Sequence, residues 1–389
     1  MKYGFNVTVL TCVPNFPDGV VHPGYKNRLV SIEKIDGINV IRVWSFISSN
    51  KGILKRILDY ISFAISALIF GMRINADLII ATSPQFFTAL SGKILSKIKK
   101  IPWIMEIRDL WPESIIAVGA LKNKSLYRLL TRMEYSCYDS ASKIISVTNS
   151  FKTILVKNGV PKSKISVVSN GVNTSLFSKR DKDLALLKKL GLEKKFVVSY
   201  IGTIGMSHAI SFIVKSAAKI KNDKIVILLI GSGAEKDNVR NQIRYEKVNN
   251  VILLDTLPKK EIVNYIASID VALINLKKSE LFKTVIPSKI FENAAMEKPM
   301  LLGVDGEARD LIEQYNAGIY FHPENEKDFI DKLQKMYADV SFYKACQIGC
   351  SNLSKDYNRK ELAKKMLKHI KKTVNQTRML KFLDPASFD

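Results

Sequence analysis

Short runs of apolar, β-branched residues alternate with helical patterns from one end of the chain to the other. The runs predict strands at Asn6–Thr11, Val40–Val43, Leu78–Ala81, Trp103–Ile107, Lys143–Val147 and Ile165–Val168. A second series follows at Phe196–Ile201, Lys224–Ile230, Val251–Leu254, Val271–Ile274, Pro299–Leu302 and Gly318–Tyr320. Helical spacing falls between them, as at Phe87–Ile98, Leu121–Ser140, Ser150–Lys157, Glu235–Tyr245 and Glu326–Tyr337. Strands that are apolar throughout, rather than alternating, belong to parallel sheets covered by helices on both faces. The fold class is therefore α/β, with two doubly wound parallel sheets.

The boundary between them is expected at the turn Asn170-Gly171-Val172-Asn173, ahead of the charged segment Ser178–Lys189. This gives an N-terminal domain over 1–175 and a C-terminal domain over 176–352. A basic terminal helix (Arg359 to Lys372) and tail fill 353–389. Sheets of this kind bind ligands at the carboxyl ends of their strands, so a substrate cleft is expected where the two domains face each other.

Composition narrows the partners. The 389 residues are 47% apolar and carry a net charge of +24. That charge is spread, +13 over residues 1–175 and +11 over the rest, whereas a nucleic-acid binder concentrates it on one face. No nucleic-acid partner is expected. Cys12, Cys137, Cys346 and Cys350 lack the spacing of a zinc or redox motif, and His22, His208, His322 and His369 are scattered. Asp181-Lys182-Asp183 reads as a helix N-terminus rather than a metal clamp. No metal and no cofactor are expected.

The opening residues read as a turn feeding a strand, not as a leader. The most apolar stretch, Ile61–Gly71, is shorter than the ~20 residues of a bilayer-spanning helix. The stretch Lys51–Met72 has a basic lead and a broad apolar face. It reads either as an interfacial membrane helix or as a helix packed on the sheet.

Chemistry concentrates at strand ends. Gly202-Thr203-Ile204-Gly205 follows one strand and leads toward a helix near His208, and Gly231-Ser232-Gly233 follows the next. Such turns either bring backbone amides to a phosphate or are plain tight turns. Pro287-Ser288-Lys289-Ile290-Phe291-Glu292 opens a helix. Ser288 is suited to its N-cap, Lys289 can add a full charge, and Glu292 lies one turn along. Glu106-Ile107-Arg108-Asp109-Leu110-Trp111-Pro112-Glu113 ends the strand Trp103–Ile107. Arg108 either pairs with Glu106 or Asp109, or these carboxylates serve a bound hydroxyl.

The segments GFNVTVLTCVPNFPDG, GINVIRVW, NKGILKRILDYISFA, EIRDLWPES, VVSNGVNTSLF, GTIG, LIGSGAE and PSKIFENAAMEKPML together resemble the retaining glycosyltransferases of family 4. Within that family they are similar to the branch that builds O-antigen and capsule repeat units, which includes N-acetyl-L-fucosamine transferases. The resemblance implies the GT-B fold: two Rossmann-like domains facing across a cleft, with the C-terminal helix crossing back. It implies a UDP-linked sugar donor, transfer with retention and no metal. The acceptor would be a polyprenyl-diphosphate-linked saccharide, met at the inner face of the cytoplasmic membrane by the basic N-terminal domain.

Donor contacts would come from Gly202, Gly205, His208, Gly231, Gly233, Ser288, Lys289 and Glu292, with Glu292 on the ribose. Glu106 and Asp109 would be catalytic, with Arg108, Trp111 and Glu113 on the acceptor side. The chain departs from the family pattern in three places. Thr284 stands where the family has a first glutamate. Thr203 and His208 stand where it has Arg and Lys, leaving Lys289 to supply the charge. A strand and glycine loop expected ahead of Asn6–Thr11 are missing, which bears on activity. A nucleotide-sugar epimerase of the same architecture is the alternative function.

Overall fold

The computed structural model describes residues 4–15, 19–48, 53–83, 86–117 and 123–383. Contacts divide the chain into two compact units: Met1–Val147 with Phe151–Val168 and Met366–Asp389, and Thr148–Ser150 with Ser169–Lys365. The division thus falls at Val168/Ser169 rather than at 175/176. The terminal helix is shared, not a separate region from 353. The cause is local pairing within the second unit. The Val172 N–H donates to the Tyr357 carbonyl (3.0 Å), and the Arg359 N–H donates to the Val172 carbonyl (2.9 Å).

The first unit runs β1 (Thr8–Thr11), β2 (Val30–Ile35), β3 (Ile38–Val43), α1 (Ile53–Gly71), β4 (Ile79–Ser83) and α2 (Phe86–Lys99). It continues with β5 (Trp103–Ile107), α3 (Glu113–Ala117), α4 (Lys124–Ser140), β6 (Lys143–Ser146), α5 (Asn149–Lys157) and β7 (Ile165–Val167). The strands form a parallel sheet in the order β4-β5-β6-β7 and a smaller one in the order β1-β3-β2.

In the smaller sheet β2 runs antiparallel to β3, pairing Ile35 with Ile38, a strand that the apolar-run criterion does not detect. Its two-residue loop is Asp36-Gly37, both at positive φ (50° and 83°), the geometry that fits the twist of a hairpin. Helix α1 packs Phe63 and Ala67 against Val43, while Leu58, Ile65 and Ile69 remain exposed on it. The sequence-expected lead Lys51-Gly52 lies outside the described residues. Among the described residues no helix is long and apolar enough to cross a membrane.

The second unit opens with α6 (Leu184–Leu190), whose N-cap Asp183 accepts from the Leu186 N–H. This places Asp181-Lys182-Asp183 at a helix start. Then come β8 (Phe196–Ile201), α7 (Ile210–Ala217), β9 (Ile225–Ile230), α8 (Lys236–Tyr245), β10 (Val251–Leu254) and α9 (Lys259–Ser268). The rest is β11 (Val271–Asn275), α10 (Lys289–Ala295), β12 (Met300–Gly303), α11 (Glu307–Tyr315), β13 (Gly318–Tyr320), α12 (Glu326–Ala338), α13 (Val340–Asp356) and α14 (Arg359–Leu383). All six strands are parallel, in the order β10-β9-β8-β11-β12-β13. Side chains of β9 are buried along its whole length. Separate apolar cores cover the two faces of the sheet, as expected for strands buried on both sides. The chain reverses its direction of travel across the sheet between β8 and β11. That switch point is where doubly wound sheets open a ligand crevice.

Candidate functional site

The turn after β8 and the turn after β9 are locked together. The Gly202 N–H donates to the Ile230 carbonyl and the Ile204 N–H to the Ser232 carbonyl, both at 2.8 Å. The Glu235 N–H returns to the Ile204 carbonyl (3.0 Å). A Cβ on Gly231 would sit 1.8 Å from the Gly202 carbonyl oxygen, and one on Gly233 would sit 2.4 Å from that of Ile204. For Gly231 and Gly233 the plain-turn reading therefore accounts for the residue: they let two neighbouring turns touch. Gly205 has only ordinary contacts, 3.5 Å to His208 and Thr203.

Gly202 differs. A Cβ there would lie 2.3 Å from the Lys289 Nζ. Lys289, the first residue of α10, projects its ammonium over the Tyr200 ring, 3.9 Å from the centroid. Part of the side chain reaches solvent, but its charged end is enclosed. That burial pushes its pKa down to about 7, against the pull of Glu292. Glu292 is half-buried on the same short helix. Ser288 occupies the N-cap position but makes no side-chain capping bond, so its expected capping role is not seen.

His208 sits beside this cation. Its ring is 6.0 Å from that of Tyr200 and its Nδ1 is 3.3 Å from the Ser207 hydroxyl. Burial, and then Lys289, push its pKa down to about 4, so the imidazole is neutral at pH 7. The helix expected near His208 begins at Ile210, after Ala209 in a left-handed conformation (φ 48°). Asn275 holds that turn. It is buried at the end of β11, and its Nδ2 donates to the carbonyls of His208 (2.9 Å) and Ala209 (3.4 Å). Sequence reasoning missed Asn275. A polar residue closing an otherwise apolar strand was the available signal.

The second unit also holds a cavity of about 610 Å³ beyond the ends of β11, β12 and β13, lined by residues that include Lys277, Phe282, Asp305, Tyr320 and His322. It adjoins the turn that carries His208, because the Lys277 N–H donates to the Ser207 carbonyl (2.9 Å). None of the residues expected from the sequence lines it.

In the first unit, Glu106 near the end of β5 accepts from the Thr82 hydroxyl of β4 (2.8 Å). Arg108 is exposed, and among the described residues no carboxylate lies within salt-bridge distance of it. The ion-pair reading of this segment is thereby corrected: solvent replaces the partner. Burial raises the Asp109 pKa to about 6, with Glu113 adding to the rise and Ser114 and Leu110 opposing it. Glu113 opens α3. Burial raises its pKa too, and the Tyr127 hydroxyl donates to it (3.4 Å). Trp111 stacks on buried Phe86, with centroids 5.9 Å apart and rings 8° from parallel. Glu106, Asp109 and Glu113 are thus carboxylates on and beside a turn with an aromatic anchor, a surface that can accept hydrogen bonds from hydroxyls. Among the described residues no group of three or more His, Cys, Asp or Glu is placed to hold a metal ion.

Comparison with known proteins divides the chain after residue 176. Residues 2–176 match the family model described as Glycosyltransferase Family 4, and residues 184–348 match Glycosyl transferases group 1. Neither model describes an epimerase, and that alternative gains no support. A probable glycosyltransferase of Pseudomonas aeruginosa, WbjE, is 25% identical over 248 residues, 63% of this chain and 60% of that protein. A putative teichuronic acid biosynthesis glycosyltransferase of Bacillus subtilis, TuaH, is 24% identical over 60% of this chain. The matched stretch spans 58% of TuaH, so the chain aligns with less than two thirds of either relative.

Among solved structures, Anabaena Alr3699/HepE in complex with UDP-glucose superposes with a TM-score of 0.70 at 17% identity, covering 86% of each chain. Sucrose-phosphate synthase of Thermosynechococcus elongatus gives 0.75 at 15% identity, over 95% of this chain and 90% of that one. These likenesses establish the fold as GT-B. With one glycosyltransferase model matched to each half, the chain resembles the glycosyltransferases of family 4 over residues 2–176 and those of group 1 over residues 184–348.

Proposed function

We propose that the protein transfers a sugar from a UDP-linked donor, with retention of anomeric configuration and without a metal ion, to a lipid-linked saccharide. The pathway class is O-antigen, capsule or exopolysaccharide assembly, and UDP-N-acetyl-L-fucosamine is the donor we would try first. The observation that carries this reading is the Lys289 ammonium enclosed against Gly202 at the switch point of the second sheet. A cation held there, with little solvent to compete, suits a diphosphate. Stabilising the diphosphate as it leaves is the main electrostatic task of such a transfer. Support also comes from the names of similar proteins, which include a UDP-glucose complex and polysaccharide-assembly enzymes.

In this reading Lys289 and the amides near Gly205 and Ser288 take the diphosphate, and Glu292 takes the ribose hydroxyls. Neutral His208 donates or accepts a hydrogen bond without adding charge. Glu106 and Asp109 orient the acceptor hydroxyl, flanked by Arg108, Trp111 and Glu113. The exposed apolar face of α1 and the excess of basic residues bring the protein to the inner face of the cytoplasmic membrane. The test incubates the protein with a panel of UDP-sugars and polyprenyl-diphosphate-linked saccharides. Release of UDP together with a one-sugar mass gain on the lipid is the expected result. A donor converted to its epimer, or no transfer from any UDP-sugar, would contradict the proposal.

A further inference from the structure

The cavity beyond the ends of β11, β12 and β13 takes no part in the reading above. It encloses about 610 Å³, a size common among small-molecule sites. Lysines dominate its rim. Lys277, Lys278 and Lys283 come from the loop after β11, and Lys327 from the first turn of α12. Lys277, Lys278 and Lys327 are exposed, and among the described residues no carboxylate lies within salt-bridge distance of their ammonium groups. Lys283 pairs with Glu280 (2.7 Å), whose side chain is itself in solvent.

The carboxylates of the same cavity are engaged with other groups. Asp305 faces Arg309 (3.6 Å) and Glu326 pairs with Lys219 (2.7 Å). Glu324 accepts from the Lys278 backbone amide (2.9 Å). The lining therefore keeps a positive excess that no carboxylate balances. Its walls are also braced. A Cβ on Gly306 would lie 2.2 Å from the Lys283 carbonyl oxygen, so the loop after β12 packs directly on the loop after β11. Asp328 accepts from the His322 N–H (2.7 Å), and the His322 Nδ1 lies 2.7 Å from the same oxygen. Glu324 is left-handed, with φ 61°, a conformation uncommon for residues other than glycine. Phe282, Val304 and Tyr320 supply apolar surface to the same cavity, and Val304 and Tyr320 are buried.

We propose that this cavity is a binding site for a sugar phosphate, separate from the diphosphate position at Lys289. The phosphate sits on Lys277, Lys278 and Lys327, and the sugar ring lies against Phe282 and Val304. Ammonium groups without carboxylate partners suit a phosphate dianion. An apolar wall beside them suits the face of a ring and gives no purchase to a bare inorganic ion. Lys289 is not among the residues that line the cavity, so the two anion positions can be tested apart.

The test uses the full chain without a sugar donor or an acceptor, so its failure is distinct from failure of the glycosyl-transfer reading. The phosphorus resonance of glucose 6-phosphate is titrated with the protein. Saturable one-to-one binding is expected. Lys277→Gln combined with Lys327→Gln should weaken it about tenfold or more, with an unchanged circular dichroism spectrum because both residues are exposed. Lys289→Met should leave the affinity within about twofold. Inorganic phosphate should bind about tenfold or more weakly than the sugar phosphate, since it leaves the apolar wall uncovered. No saturable binding by the folded wild type, wild-type affinity in the double variant, loss of binding in Lys289→Met, or equal affinity for inorganic phosphate would overturn the assignment.

Discussion

Gly202 and Lys289 share one space: a Cβ on the glycine would lie 2.3 Å from the lysine Nζ. The glycine thus matters less for its own amide, which is spent on Ile230, than for the cation it admits. Gly202→Ala should displace the ammonium and weaken UDP binding about tenfold, the loss of one charge-assisted contact. In a Lys289→Met background the same change should cost little more, because the group it displaces is gone. A double-mutant cycle by calorimetry checks this. Full additivity would separate the two residues.

Donor affinity should depend on pH with a definite sign. The free protein holds Lys289 at a pKa of about 7 because burial disfavours its charge. A bound diphosphate favours the charged form, so binding takes up a proton. Affinity is then highest below that pKa and falls as pH rises through it, by up to about tenfold per unit. UDP-glucose is a suitable probe, since its diphosphate does not titrate in this window. Lys289→Met should flatten the profile.

The glycine turns separate by role. Gly231→Ala drives a Cβ to 1.8 Å from a fixed backbone oxygen, at a φ that L-residues avoid. Its expected cost is about 3 kcal/mol or more in urea unfolding. Gly205→Ala meets only ordinary contacts and should change stability by less than about 0.5 kcal/mol. Equal costs would contradict the division into packing glycines and an open turn.

The strand–helix alternation was legible because buried parallel strands are apolar along their whole length. Trp103–Ile107, Phe196–Ile201, Val251–Leu254 and Gly318–Tyr320 match the expected bounds residue for residue. Strand β2 escaped because its side chains are exposed or half-buried, which leaves the Asp36-Gly37 turn as its sequence signal. In the site, chain position located the loops but not their internal bonds. Nothing in the spacing told that Gly231 packs on Gly202, that Arg108 stands in solvent, or that Asn275 braces a turn from a strand distant in sequence.

Helix α1 offers a surface test. Leu58, Ile65 and Ile69 are 53%, 52% and 54% exposed at helical spacing, on a unit rich in lysine. Co-sedimentation with anionic phospholipid vesicles should be strong at low salt and fall with salt as charge is screened. Replacing the three by serine should abolish most of it without unfolding the chain. Undiminished sedimentation of that variant would place the membrane contact elsewhere.

The most direct measurement is calorimetric titration of the purified chain with UDP, repeated for Glu292→Ala. The account predicts saturable one-to-one binding in the wild type and a loss of about tenfold or more in the variant, as the ribose hydroxyls lose their acceptor. Equal affinity in the two proteins, or no binding by a folded wild type, would contradict the placement of the donor on the second unit.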